Sequence, residues 1–224
     1  MTTRTEFRDE TLREILPDLT QWPDTTLNAW IDDGIQAYSA YFHLQAQVQV
    51  EVLTAGEREY DILTNLGALE TFHGVTRIEY PMGQDPPRFL QKLAETSPNF
   101  LGGPYYDLRG GMTVVLGESP AVEQSLVVWY MRDHILPVVD GSTLSVPDSH
   151  LDAIRLYVIW QAIRELEMGE ALTPDSTSLL LSMYGLNAGR AERSYNSKIH
   201  ELLRNSGQSG TTGPWVMDKY DQVY

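Results

Sequence analysis

Hydrophobic and polar residues recur with a helical period at both ends of the chain. Between residues 24 and 38 the apolar side chains are three or four positions apart, which predicts an amphipathic helix: Leu27, Trp30, Ile31, Ile35 and Tyr38. A similar pattern predicts a helix over 4–16, ended by Pro17. Two more helices are predicted near the C-terminus, one over 149–169 and one that begins at 173 and ends at 205–207.

In the middle of the chain the period changes from 3.6 to 2. Alanine and valine alternate with glutamine over 44–52, which predicts a strand with one face in water. Four further stretches have strand length and composition: 58–63, 75–80, 112–116 and 124–131. A short helix is predicted at 89–93, between proline-rich and glycine-rich turns. These elements together predict an antiparallel β unit.

The order of the elements predicts an α+β fold. Helices that share one core but are separated by about a hundred residues of strand indicate an insertion rather than two tandem domains. We therefore predict a four-helix bundle with an inserted antiparallel β unit and a flexible C-terminal arm. The bundle consists of 1–43 and 140–206, the inserted β domain of 44–139, and the arm of 207–224.

The C-terminal arm combines a flexible composition with aromatic residues. Residues 207–213 are rich in glycine and serine, as flexible linkers are. A disordered end normally lacks aromatics because it has no core in which to bury them. Two interpretations remain open: the arm folds back onto its own domain, or it docks on a neighbouring subunit, which a long tether favours. The candidate partner-binding residues are Trp215, Val216, Met217, Tyr220 and Tyr224.

Composition narrows the classes of function. The 224 residues include no cysteine, so disulfides and thiolate metal sites are excluded. Sixteen Lys and Arg against 31 Asp and Glu give a net charge of −15. A nucleic-acid binder normally carries a basic face, so we expect an acidic surface that is either simply solvated or repels polyanions. No apolar run approaches the length of a membrane span, and we expect no signal peptide, since the N-terminal residues lack a basic patch and an apolar run.

Known catalytic motifs are missing from the sequence. The histidines do not have the i,i+4 spacing of a helical zinc site, and surface or capping roles are expected for each: His43, His73, His134, His150 and His200. There is no nucleophile elbow and no glycine-rich phosphate loop before a helix. Neighbouring carboxylates such as Asp32 and Asp33 do not converge on a helix. The sequence therefore predicts no enzyme, no cofactor and no metal-binding residue.

The order of several short motifs resembles that of phage head–tail connector (adaptor) proteins. These motifs lie between about residues 10 and 170: LREILPD at 12–18, WPD at 22–24, PPRFL at 86–90, VVWY at 127–130, SVPD at 145–148 and LDAI at 151–154. Each motif alone is nonspecific, and the resemblance rests on their order. The last helix and the arm match less clearly.

The resemblance implies a structural virion protein of the neck, made in the host cytoplasm. Such adaptors form a ring of about twelve copies beneath the portal of a DNA-filled capsid. The implied partners are the portal protein, neighbouring copies of the chain, and a downstream tail or stopper protein, while DNA passes through the channel without specific binding. Two alternatives remain: a monomeric or dimeric carbohydrate- or protein-binding module that uses the β unit, and a hydrolase with an unrecognised carboxylate site.

Overall fold

A computed structural model gives the conformation of most of the chain. The described residues are 2–12, 22–52, 54–66, 71–122, 124–171 and 178–208. The chain divides into two compact units, one formed by 1–42 with 134–224 and the other by 43–133. We call them the helical unit and the sheet unit.

The helical unit contains four described α-helices: α1 (Arg4–Glu6), α2 (Asp24–Ser39), α3 (Leu151–Ala171) and α4 (Ser178–Gln208). A π-helix, Phe7–Leu12, directly follows α1, and a 3-10 turn, Asp148–His150, directly precedes α3. Thr3 and Glu6 form a capping box at the start of α1, each side chain accepting a hydrogen bond from the other residue's backbone amide.

The predicted four-helix bundle is wrong. Its first helix was expected over 4–16, but α1 has only three residues and is followed by the six-residue π-helix. Residues 4–12 are therefore not one regular α-helix, and residues 13–16 lie outside the described part. The two long partners of α3, namely α2 and α4, both pack on it. The protein is better described by its seven-stranded sheet together with these few helices.

The predicted helix ends near the C-terminus are one or two residues too early. Gly169 does not end α3, which continues to Ala171, and residues 205–207 do not end α4, which continues to Gln208. A glycine within a helix costs only about 1 kcal/mol relative to alanine. Most helical stability in proteins comes from tertiary packing, and α3 packs against α4.

The core of the helical unit lies where α2 meets α3. The predicted apolar stripe of α2 is confirmed: Leu27, Ile31 and Ile35 are fully buried. Ile154 and Val158 of α3 are fully buried in the same cluster. Each such side chain contributes about 1.5–3 kcal/mol by leaving water.

The sheet unit contains seven strands: β1 (Leu44–Glu51), β2 (Glu59–Asp61), β3 (Gly74–Glu79), β4 (Phe89–Lys92), β5 (Tyr105–Arg109), β6 (Thr113–Leu116) and β7 (Ser125–Arg132). Their order in the sheet is β1-β7-β3-β4-β5-β6-β2. Neighbouring strands are antiparallel except for β4 and β5, which are parallel.

Most predicted strands are confirmed, but the helix predicted at 89–93 is wrong. That segment is strand β4, in which Leu90 is buried opposite Ile78 of β3. A run of five residues is too short for its period to separate helix from strand, so pairing with a neighbour decides. Strand β5 was not predicted.

Strands β1 and β7 form the longest pairing, from Leu44 opposite Arg132 to Glu51 opposite Ser125.

Among the helices that the structure describes, none has both the length and the apolar character needed to cross a bilayer.

Candidate assembly surface

The residues that the sequence proposes for partner binding lie outside the described part of the chain. These are Trp215, Val216, Met217, Tyr220 and Tyr224, all beyond Gln208, where α4 ends. The described residues present a different surface that can make protein contacts.

This surface is a loop of the helical unit, residues 135–144, with exposed apolar side chains. Val138 is 89% exposed, Val139 62% and Ile135 51%. Single exposed apolar residues are common on protein surfaces, but three within five residues form a small patch. We refer to Ile135, Val138 and Val139 as the apolar patch.

The N-terminal segment holds the loop by backbone hydrogen bonds. The amide of Arg4 donates to the carbonyl oxygen of Ser142 at 3.0 Å, and the amide of Leu144 donates to the carbonyl oxygen of Thr2 at 2.9 Å. These bonds continue an isolated antiparallel bridge between Thr3 and Thr143. One side of the loop is therefore fixed as if it were part of a two-stranded sheet.

A charged cluster at Asp140 reinforces this attachment. The Asp140 carboxylate accepts hydrogen bonds from Arg4 Nη2 at 3.0 Å, Arg8 Nη1 at 3.0 Å and Asn28 Nδ2 at 2.9 Å. The hydrogen bond from Arg8 is the main reason that the pKa of Asp140 lies below its usual value. Both arginine side chains are almost completely buried, so they depend on their carboxylate partners, which also include Asp32 for Arg4.

Polar contacts, two of them buried, hold the other end of the loop. The amide of His134 donates to Ser39 Oγ at 3.0 Å, and Ser39 Oγ donates to the carbonyl oxygen of Ile35 within α2 at 2.8 Å. Ser145 Oγ donates to the carbonyl oxygen of Ile135 at 3.1 Å. The apolar patch is thus presented on a backbone that is fixed on both sides, so that little conformational entropy remains to be lost on binding.

Comparison with known protein families identifies the kind of protein. The family model of the SU10 adaptor protein matches residues 2–218, which is nearly the whole chain. The chain belongs to the SU10 adaptor protein family. No curated protein sequence matches it significantly.

Membership of the SU10 adaptor family confirms the resemblance to phage head–tail adaptors. The protein is a structural phage adaptor and a component of the virion, and its family is not a class of enzymes. The match includes both the 135–144 loop and the N-terminal segment that holds it.

Sequence reasoning missed the apolar patch of this SU10 family member. The sequence predicts residues 135–139 as the end of the inserted β domain, 44–139, and gives their apolar side chains no separate role. One signal was available: Arg4 and Arg8 lie four residues apart in a segment predicted to be helical, and so on one face. Their partner Asp140 is more than 130 residues away in the sequence, and no local pattern connects them.

Proposed function

We propose that this SU10 family adaptor forms a homo-oligomeric ring beneath the portal, where it extends the DNA channel and docks the next tail component. The observation that carries the proposal is the family match over residues 2–218. The partners are the portal protein, neighbouring copies of the chain in a ring of about twelve, and a downstream tail or stopper protein. The protein is made in the host cytoplasm and is incorporated into the neck of the virion.

The apolar patch supports the ring, and we assign it to the contact between neighbouring copies. Its three side chains are exposed on a fixed loop. A patch of this size would bury too little area for a stable isolated dimer. In a closed ring the same contact is repeated at every subunit, so that a small patch contributes at each interface.

The acidic composition supports a channel that lets DNA pass. With 31 Asp and Glu against 16 Lys and Arg, the chain has no excess of cations to neutralise phosphates. A ring of such subunits repels DNA that passes through it, and specific DNA binding is not expected.

We further propose that the C-terminal arm is a clasp on a neighbouring subunit. Residues 209–214, which precede Trp215, span at most about 20 Å when fully extended. Buried aromatic anchors dominate many protein interfaces, so Trp215 and Tyr220 are the main anchors, with Val216, Met217 and Tyr224 beside them.

The test of the proposed function is assembly with the portal protein. The full chain is produced alone and together with its portal, and the masses of the complexes are measured by native mass spectrometry, followed by electron microscopy. We expect ring complexes with the portal. A chain that stays monomeric or dimeric with the portal present, and that binds a carbohydrate or an unrelated protein instead, would contradict the proposal.

The role of the apolar patch is tested separately with the double variant Val138→Ser, Val139→Ser. Leu186→Ser is the matched control, because Leu186 is also exposed but lies on α4. We expect all proteins to keep the melting temperature of the native chain, and only the double variant to lose ring formation. Equal assembly by the double variant and the control would remove the patch from the interface.

A further inference from the structure

Three strands of the sheet unit bring two histidines and an aspartate to one edge of the sheet. His43 directly precedes β1, His73 directly precedes β3, and Asp133 directly follows β7. Strand β7 lies between β1 and β3 and is antiparallel to both. The starts of β1 and β3 therefore meet the end of β7.

The strand register fixes the three backbones near each other. Leu44 is opposite Arg132 in the β1–β7 pair, so His43 and Asp133 are the next residues on either side. The amide of His73 donates to the carbonyl oxygen of Met131 at 2.8 Å, which extends the β3–β7 pairing by one residue.

The side chains converge on a common point. His73 Nε2 donates to Asp133 Oδ1 at 2.6 Å, and His43 Nδ1 lies 4.0 Å from the same oxygen. The two imidazole rings are stacked with their centres 4.1 Å apart. One ligand atom from each of the three residues lies within 4.8 Å of the others. Nitrogen and oxygen ligands of a tetrahedral zinc ion are about 3.3 Å apart, a value that the two measured separations bracket.

One nitrogen of the cluster has no hydrogen-bond partner among the described residues. His43 Nδ1 is buried, and within the described part of the chain no hydrogen-bond partner satisfies it. Buried polar atoms are almost always paired, so an unpaired nitrogen directed towards a carboxylate calls for an explanation. The His73–Asp133 hydrogen bond does not provide one, because it leaves His43 Nδ1 unused.

We propose that His43, His73 and Asp133 form a binding site for a divalent transition metal ion, with Zn²⁺ as the preferred ion. Imidazole nitrogens favour zinc and its first-row neighbours over Mg²⁺ and Ca²⁺, which prefer oxygen ligands. Two histidines and a carboxylate are a known set of protein ligands for zinc, with a fourth position left for water or another group. The ion takes the place of the proton between His73 Nε2 and Asp133 Oδ1.

The site ties together the two ends of the sheet unit. His43 and Asp133 are the first and last residues of that unit, and His73 holds the start of β3 beside them. A metal ion bound here cross-links three strand ends, and so stabilises the folded sheet unit by binding it in preference to the unfolded chain.

The experiment is a calorimetric titration of the full chain, prepared without a histidine tag and stripped of metals, with Zn²⁺ and separately with Mg²⁺. We expect one Zn²⁺ per chain with a dissociation constant in the micromolar range or below, and no binding of Mg²⁺. His73→Ala and Asp133→Asn should each weaken Zn²⁺ binding at least tenfold. His200→Ala is the matched control, because it removes an exposed histidine from α4, and it should bind like the native chain.

A second measurement keeps the result clear if a variant folds poorly. Co²⁺ in place of Zn²⁺ gives visible absorption that reports nitrogen and oxygen ligands in a tetrahedral arrangement, and circular dichroism checks that each variant keeps its sheet. We expect the absorption in the native chain and in His200→Ala, and its loss in folded His73→Ala. Equal Zn²⁺ binding by the native chain and folded His73→Ala, equal binding of Mg²⁺, or no Zn²⁺ binding by the native chain would each overturn the proposal.

Discussion

Gly34 of α2 lies so close to Tyr157 of α3 that a β-carbon on the glycine would be only 3.2 Å from Tyr157 Cδ1. The same β-carbon would be 3.2 Å from Ile154 Cγ2. Glycine in a helix costs about 1 kcal/mol relative to alanine. Its position at this contact indicates that close packing of the two helices outweighs that cost.

Replacing Gly34 by leucine should therefore destabilise the helical unit. The larger side chain forces α2 and α3 apart, and overpacking of this kind costs about 1–3 kcal/mol. Urea unfolding followed by circular dichroism measures the effect. Gly189→Leu is the matched control in α4, since among the described residues no atom apart from those of its chain neighbours and the nearby helix backbone lies within 4 Å of a β-carbon there. The free energy of unfolding of the control should rise by about 0.5–1 kcal/mol, because leucine has a higher helix propensity than glycine. An equal loss of unfolding free energy in both variants would show that the α2–α3 contact is not the cause.

Replacing Asp140 by asparagine should loosen the N-terminal segment and the 135–144 loop. Arg4 and Arg8 are almost fully buried, and each loses a charged partner. The melting temperature at pH 7 should fall, and hydrogen exchange at the amides of Arg4 and Thr5, which donate to the loop, should accelerate. Asp33→Asn, an exposed position on α2 with the same change in charge, should alter neither quantity.

The same variant has a defined dependence on pH. The pKa of Asp140 is lowered in the folded protein, chiefly by the hydrogen bond from Arg8. Its contribution to stability is therefore present above the unfolded pKa of about 3.9 and is lost as the pH falls through the folded value. The difference in melting temperature between the native chain and Asp140→Asn should be constant from pH 7 to about pH 5 and shrink below about pH 4. A difference that stays constant down to pH 2 would mean that the carboxylate charge is not what stabilises the loop.

His150 should make the helical unit less stable in mild acid. Its Nδ1 lies 2.5 Å from the hydroxyl oxygen of Tyr38, and burial, followed by the charge of Lys198, lowers its pKa. Because the unfolded histidine takes up a proton first, stability is present above the unfolded pKa of about 6.5 and is lost as the pH falls below it. Replacing His150 by glutamine should reduce the loss of unfolding free energy between pH 7 and pH 5. The loss that remains includes a contribution from His43, whose pKa is also lowered by burial. An unchanged loss of unfolding free energy between pH 7 and pH 5 in His150→Gln would rule out a contribution from His150.

Local patterns predicted the elements whose period is long and regular. The alternation of glutamine with alanine and valine located β1, and the apolar stripe of α2 located its buried face, because both patterns extend over several repeats. The segment at 89–93 is too short for a period, and its conformation depends on pairing with β3. The first segment was predicted as one regular α-helix, but residues 4–12 divide into a three-residue α-helix and a π-helix, and the backbone contacts of its start come from the distant 135–144 loop.

The metal-ligand cluster and the charged cluster at Asp140 both depend on contacts between residues that are distant in the sequence. The search for metal ligands used the spacing of histidines on a helix, whereas His43, His73 and Asp133 meet through the register of three strands. Asp140 meets Arg4 and Arg8 across most of the chain, where the 135–144 loop contacts the N-terminal segment. Sequence spacing alone identifies neither group, because each depends on which distant segments of the chain lie side by side.

Deletion of residues 209–224 tests the C-terminal clasp. The described core of the helical unit includes Tyr195, Ile199 and Leu202 of α4, which are buried. We therefore expect the truncated chain to keep the melting temperature of the native protein. Its attachment to the portal or to a neighbouring copy should be weaker, which sedimentation and native mass spectrometry of mixtures with the portal will measure.

A point variant separates the aromatic anchors from the length of the arm. Removing an interface tryptophan at a binding hot spot typically costs 2 kcal/mol or more, about a thirtyfold loss of affinity. Trp215→Ala should therefore reproduce much of the assembly defect of the deletion, while Gln208→Ala, at the end of α4, should assemble normally. Normal assembly by the truncated chain together with a lower melting temperature would show that these aromatic residues belong to the core of their own subunit, and the clasp would then be wrong.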